Sequence, residues 1–167
     1  EEILLPLIND NSEVKFVIAP HEMDEARINN ILSSVKCGAK RYTQCTVDTD
    51  FSATQVLVLD TIGILSSVYG YASWSYIGGG FGVSIHNTLE AAVYGMPVVF
   101  GPTWKKFREA HGLLAAGAAI TVKNYREFAA ALDTAFATHT EMGLAAARYV
   151  DGECGATETI YNEIFNK

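Results

Sequence analysis

Residues 74–102, Trp74-Ser75-Tyr76-Ile77-Gly78-Gly79-Gly80-Phe81-Gly82-Val83-Ser84-Ile85-His86-Asn87-Thr88-Leu89-Glu90-Ala91-Ala92-Val93-Tyr94-Gly95-Met96-Pro97-Val98-Val99-Phe100-Gly101-Pro102, decide the fold. Trp74 to Ile77 reads as a strand that breaks at glycines incompatible with regular structure. A helical pattern follows from about His86 to Tyr94. It ends on Gly95, with Pro97 two residues on, the order of a left-handed cap and a stop. Val98-Val99-Phe100 is apolar on both faces, as a strand buried between helix layers must be. Strand, loop, helix, strand is the repeating unit of a parallel α/β sheet.

The same alternation continues in both directions. Upstream, Val14 to Ala19 reads as a strand stopped at Pro20, and Asp24 to Val35 as a helix with Ile28, Ile31, Leu32 and Val35 on one face. A short strand around Lys40 to Gln44, a polar loop from Thr46 to Thr54, the apolar strand Gln55 to Leu59 and a short helix from Ile64 to Tyr71 follow. Downstream, helices around Trp104 to Leu114 and Tyr125 to Ala137 bracket a strand near Ala118 to Val122. A final Ala-rich helical region runs from about Glu141 toward Phe165. Six β-runs in strict alternation predict a doubly wound, Rossmann-like parallel sheet, with residues 1–167 as a single domain.

Composition bounds the function. The chain has 167 residues, 49% hydrophobic and 19% charged, enough to build a core without staples. Cys37, Cys45 and Cys154 form neither an even-numbered disulfide framework nor a C-x-x-C pair. The net charge of −7, with basic residues scattered, argues against a nucleic acid polymer as partner. No apolar run approaches the roughly 18 residues of a membrane span, and Glu1-Glu2-Ile3-Leu4-Leu5 lacks the basic start of a signal peptide. The absence of an initiating Met leads to the expectation that the chain is part of a longer protein.

In parallel α/β sheets ligands sit beyond the carboxyl ends of the strands, so three loops stand out. Pro20-His21-Glu22 offers an imidazole and a carboxylate, or simply a loop in which Glu22 and Asp24 complement the dipole of the next helix. Asp60-Thr61-Ile62-Gly63 offers a cap for the following helix, or backbone N–H groups for a ligand. Gly78-Gly79-Gly80 is the most informative. A triple glycine between strand and helix lets the backbone approach a phosphate closely, and the helix start offers unpaired N–H donors. Neither the P-loop nor the dinucleotide fingerprint is completed. His86 and Glu90 share a helix face, with Asn87 beside them, placing a carboxylate where a ribose diol would be held. N-terminal capping by His86 and Asn87, and a tight glycine turn against a neighbouring helix, are the structural alternatives.

These residues resemble a known family. Gly78-Gly79-Gly80-Phe81, His86-Asn87-Thr88-Leu89-Glu90-Ala91-Ala92 and Gly95-Met96-Pro97-Val98-Val99-Phe100-Gly101-Pro102 look like the carboxyl-terminal half of the 3-deoxy-D-manno-octulosonic acid (Kdo) transferases of lipopolysaccharide synthesis. Ile18-Ala19-Pro20-His21-Glu22, Asp60-Thr61-Ile62-Gly63-Ile64-Leu65 and Lys106-Phe107-Arg108-Glu109-Ala110 extend the likeness over most of residues 14–122. The resemblance implies a GT-B glycosyltransferase half that binds CMP-Kdo, with lipid A precursor as acceptor. Its amino-terminal half would carry the general base and the peripheral contact with the cytoplasmic face of the bacterial inner membrane.

By the same resemblance Pro20, His21, Glu22, Ile62 and Gly63 surround the cytidine. Asn87 and Glu90 hold the ribose and phosphate region with the Gly78, Gly79 and Gly80 backbone, flanked by Phe81 and His86. Many relatives carry Arg where His21 stands and Glu where Ile64 stands, which removes a bidentate cation and one polar contact. The family is inverting and needs no metal, so the implied cofactor is none, and this half alone is expected to be inactive.

Asp48-Thr49-Asp50 spells a D-x-D metal motif but falls in a polar loop where a solvated turn is expected. His111 and His139 lack partners at ligand spacing. Trp104, Lys105, Lys106 and Arg108 form a basic, aromatic cluster that suits either a Kdo carboxylate or phosphate, or an ordinary helix start. Two other classes fit the residues less closely: a GT-B half using a UDP- or ADP-sugar, and a non-catalytic nucleotide-binding domain.

Overall fold

A computed structural model describes residues 3–165. Glu1 and Glu2, the acidic start noted above, lie outside the described residues, as do Asn166 and Lys167. The chain is mixed α/β, with helices flanking two three-stranded parallel sheets. It divides into two compact units. The first comprises the described residues up to Val68 together with Asn124–Ala129, and the second comprises Tyr69–Lys123 with the described residues from Ala130 onward.

In the first unit β1 (Phe16–Ile18), β2 (Ala39–Arg41) and β3 (Val56–Val58) pair in the order β1-β3-β2, all parallel. Helix α1 (Leu4–Asp10) contributes Leu7 and Ile8, both fully buried, and α2 (Glu25–Ser34) contributes Ile28 and Ile31. Burying each such side chain favours folding by about 1.5–3 kcal/mol. Asp24 starts α2 by accepting a hydrogen bond from Arg27 N at 2.8 Å, which satisfies one of the first-turn N–H groups that the helix itself leaves unpaired. The β2–β3 connection carries a short 3₁₀ turn (Tyr42–Gln44) and then polar turns instead of an α-helix. The Gln55 amide anchors that region, its Nε2 donating to Ile8 O and Asn11 O at 2.7 and 2.8 Å.

In the second unit β4 (Ser75–Ile77), β5 (Val98–Phe100) and β6 (Ala119–Thr121) run parallel in that order, with Ile77, Phe100 and Thr121 in register. Every residue of β5 is buried, as its position between two strands demands. Helices α4 (Leu89–Ala92), α5 (Arg108–Ala115) and α7 (His139–Gly152) form one layer around Ala91, Ala92, Met96, Leu113 and Ala146. Gly95 ends the α4 segment at φ +67°, as its sequence position predicts, and its backbone meets α7 at Gly143. A Cβ on Gly143 would stand 2.2 Å from Gly95 O, so only glycine fits there. The helical region expected from Glu141 to Phe165 is two helices, α7 and α8 (Ala156–Phe165), separated near Gly155. Helices α3 (Leu65–Tyr69) and α6 (Tyr125–Ala137) contribute residues to both units. No helix among the described residues is long and apolar enough to cross a membrane.

Candidate functional site

The three strands of the first unit are parallel, so the loops after them emerge at one edge. Pro20 is buried and closes β1, while His21 and Glu22 are exposed beyond it. Glu22 lies 3.9 Å from the Arg27 guanidinium. Ile62 is 85% exposed, and Gly63 is exposed beside it.

Asp60 does not cap the next helix, as one reading of the sequence allowed. Its carboxylate accepts from Thr43 N at 2.9 Å and from Thr43 Oγ1 at 2.6 Å. Register explains the pairing: Arg41 stands opposite Val58, so the residues two positions beyond them, Thr43 and Asp60, also meet. Burial pushes the Asp60 carboxyl up, but the Thr43 hydrogen bonds and the Arg41 charge together hold it below its ordinary value. Arg41 itself grips Glu25 through both guanidinium nitrogens at 3.0 and 2.6 Å and reaches Asn29 at 2.9 Å. The Glu25 hydrogen bond raises the Arg41 pKa, and the same bond lowers that of Glu25.

The glycine loop after β4 is closed on itself. Gly82 N donates to Gly79 O at 2.8 Å, and His86 N donates to Gly78 O at 3.1 Å. Gly79 adopts φ +85°, and a Cβ there would meet Ser84 O at 2.2 Å and His86 Nε2 at 3.3 Å. The His86 ring therefore lies over Gly78 and Gly79. Phe81 and Val83 stand exposed on the loop.

The helix expected from His86 to Tyr94 is shorter than its periodicity predicts: α4 is the single turn Leu89–Ala92. Two local bonds hold the preceding backbone out of the helix. Gly78 O keeps His86 N, and the Asn87 side chain accepts from Leu89 N at 3.0 Å. A one-turn helix has little macrodipole to offer an anion, so His86 does not head an anion-binding helix. What remains for a phosphate is the backbone of the glycine loop and the side chains after it. Asn87 Nδ2 also donates to Glu90 Oε1 at 3.0 Å. Glu90 is exposed with one oxygen anchored; among the described residues its Oε2 has no partner, which leaves it open to accept from a hydroxyl. Burial, reinforced by the Glu90 charge, raises the pKa of the half-buried Tyr69. Thr88 is fully buried, its hydroxyl without a partner among the described residues.

Sequence reading missed the contact that fixes this loop. Gly80 and Gly101 touch backbone to backbone: a Cβ on Gly80 would lie 2.7 Å from Gly101 N and Cα. Thr103 N donates to Gly80 O at 3.0 Å. The signal was present in Gly101-Pro102 directly after a buried strand, but nothing local pairs it with Gly80.

Two residues of the other constellations make local bonds. Asp50 spends both oxygens on Ser52, accepting from its N and Oγ at 2.8 Å each, and those bonds lower its pKa. His139 Nδ1 donates to Phe136 O at 3.1 Å. Among the described residues no group of three or more His, Cys, Asp or Glu side chains is placed to hold a metal ion.

No protein-family model matches the chain. Curated relatives are 3-deoxy-D-manno-octulosonic acid transferases. That of Rickettsia typhi is 32% identical over 130 residues, 74% of this chain and 28% of the relative. That of Rickettsia prowazekii is 30% identical over 133 residues, 76% and 28%. That of Aquifex aeolicus is 28% identical over 121 residues, 70% and 32%. The chain thus spans under a third of the length of these relatives. Among solved structures, the C-terminal CMP-Kdo binding domain of WaaA from Acinetobacter baumannii superposes with a TM-score of 0.74 at 19% identity, covering 89% of this chain and 80% of that one. The two share a fold.

Proposed function

We propose that this chain, whose homologues are Kdo transferases, is the CMP-Kdo-binding half of an inverting glycosyltransferase that moves Kdo onto a lipid A precursor. The observation that carries the reading is the succession, in one segment, of a self-closed glycine loop and an exposed carboxylate, Glu90, tethered by Asn87 at 3.0 Å. The relatives' name and the fold shared with a CMP-Kdo binding domain support it.

In this reading the Gly78, Gly79 and Gly80 backbone and Asn87 meet the phosphate, and the open oxygen of Glu90 accepts from the ribose. Phe81 and His86 flank that guest. The acceptor hydroxyl attacks the glycosidic carbon from the face opposite CMP, the bond to the phosphate oxygen breaks, and negative charge develops on the departing phosphate. Donors already fixed by the loop's own hydrogen bonds stabilise that charge without reorganising, and no metal is required. The acceptor's proton passes to a general base in the amino-terminal half, which also makes the peripheral contact with the cytoplasmic face of the bacterial inner membrane.

A thermal-shift titration with CMP, UDP and ADP tests the assignment. At ten times Kd, CMP is expected to stabilise the chain by about 1.4 kcal/mol, roughly 3–6 °C for a protein of this size. A larger shift with UDP or ADP transfers the reading to another sugar nucleotide. Efficient Kdo transfer by this chain alone would overturn the division of labour between halves.

A further inference from the structure

We propose that the segment from Gly101 to Phe107 is a second phosphate-contacting element, in which Lys105 and Lys106 meet the same anion as the glycine loop and His111 is the residue that positions them. The inference rests on the donor-binding reading and adds to it.

The segment follows β5 at the carboxyl edge of the second sheet and is held at both ends. At its start, the Gly80–Gly101 backbone contact and the Thr103 N to Gly80 O bond at 3.0 Å lock it to the glycine loop. Further along, Trp104 packs on Phe100 at 6.3 Å between ring centroids and meets the His111 ring edge-on at 4.7 Å. His111 then reaches back to the Lys105 carbonyl at 2.9 Å. A carbonyl only accepts, so His111 Nε2 carries the proton in this bond. Phe107 N donates to Trp104 O at 2.9 Å and closes the turn.

This framework presents two exposed cations, Lys105 and Lys106. Arg41 is spent on Glu25, and Arg108 on Glu153 at 2.9 Å. Among the described residues Lys105 and Lys106 have no ion-pair partner. In a chain of net charge −7, a pair of ammonium groups without ion-pair partners, on a hydrogen-bonded turn fastened to a glycine loop, suits an anionic guest. Lysine acts there as a point charge, which tolerates a phosphate that changes its bonding during departure.

The test compares binding of CMP and of cytidine, which lacks the phosphate, by calorimetric titration of the 167-residue chain. Replacing both lysines (Lys105→Gln with Lys106→Gln) should weaken CMP binding about tenfold and leave cytidine unchanged, as the loss of two close charges requires. His111→Phe keeps a ring against Trp104 but no donor, and should weaken CMP about threefold; His111→Gln, which restores an N–H donor, should return it to within about twofold of wild type. A CMP-to-cytidine preference left unchanged by the double lysine replacement overturns the proposal. So does a His111→Gln variant as weak as His111→Phe, since the ring and not the donor would then be what matters. Failure of the unmodified chain to bind either compound overturns the donor-binding reading itself, so the two failures are read in different samples.

Discussion

Replacing Gly80 by alanine probes the junction on which the candidate site is built. The new Cβ would stand 2.7 Å from Gly101 N and Cα and 2.9 Å from Ile85 Cγ2, and the first two atoms are backbone with no rotamer to escape into. Ordinary contact begins at 3.4 Å, so the two loops must part by roughly 0.7 Å. Opening by that amount stretches the 3.0 Å Thr103 N to Gly80 O bond to about 3.7 Å, beyond hydrogen-bond range. Overpacking costs about 1–3 kcal/mol and the lost bond about 1 kcal/mol. The sum of about 2–4 kcal/mol corresponds to a fall in Tm of roughly 5–15 °C for a chain of this length. Thermal unfolding followed by circular dichroism measures it, with Gly152→Ala as control. At Gly152, in the last turn of α7, a Cβ meets nothing within 4 Å, and alanine in a helix is neutral or stabilising by up to about 1 kcal/mol. A Gly80→Ala protein melting within about 2 °C of wild type would refute the reasoning.

Asn87→Ala should weaken CMP binding about tenfold, through the freed Glu90 and the lost bond to Leu89 N, while lowering stability by only about 1 kcal/mol; an unchanged Kd in a titration would show that the tether is irrelevant to binding. Asp60 has a folded pKa below its ordinary 3.8, so its bonds to Thr43 stabilise the fold above that pH and are lost as pH falls through the lower folded value. Asp60→Asn should therefore lose less stability than wild type in denaturant titrations carried from neutral pH to below 3.8, and coincident profiles would contradict the assignment. Addition of EDTA should leave the CMP Kd unchanged, and its loss on chelation would show that a metal takes part.

The sequence reading succeeded where the signal is local and failed where it depends on pairing between distant residues. Val98–Phe100 was expected as a strand from its apolar run alone, and α2 from its one-sided apolar pattern. Helix α1 went unread because Pro6 interrupts its short apolar pattern; proline is tolerated in a first turn, where its missing N–H has no partner to lose. Helix α4 was overread, since periodicity from His86 to Tyr94 is blind to Gly78 O and the Asn87 side chain, which hold the first three residues in another path. Glu90, Asn87 and the glycines follow one strand within a single segment, so a sequence pattern alone groups them. The Thr43–Asp60 clasp and the Gly80–Gly101 contact join residues 17 and 21 apart, and only parallel register brings them together. Such contacts set the local geometry within each unit, and no single segment of sequence announces them.

The central claim is that the glycine loop and the tethered Glu90 hold a nucleoside monophosphate. Titrating CMP into ¹⁵N-labelled chain and following backbone amides by NMR tests it most directly. The account predicts shifts at Gly78, Gly79, Gly80, Asn87 and Glu90 that saturate along one binding curve, and it is contradicted if saturating CMP leaves these amides in place while others move.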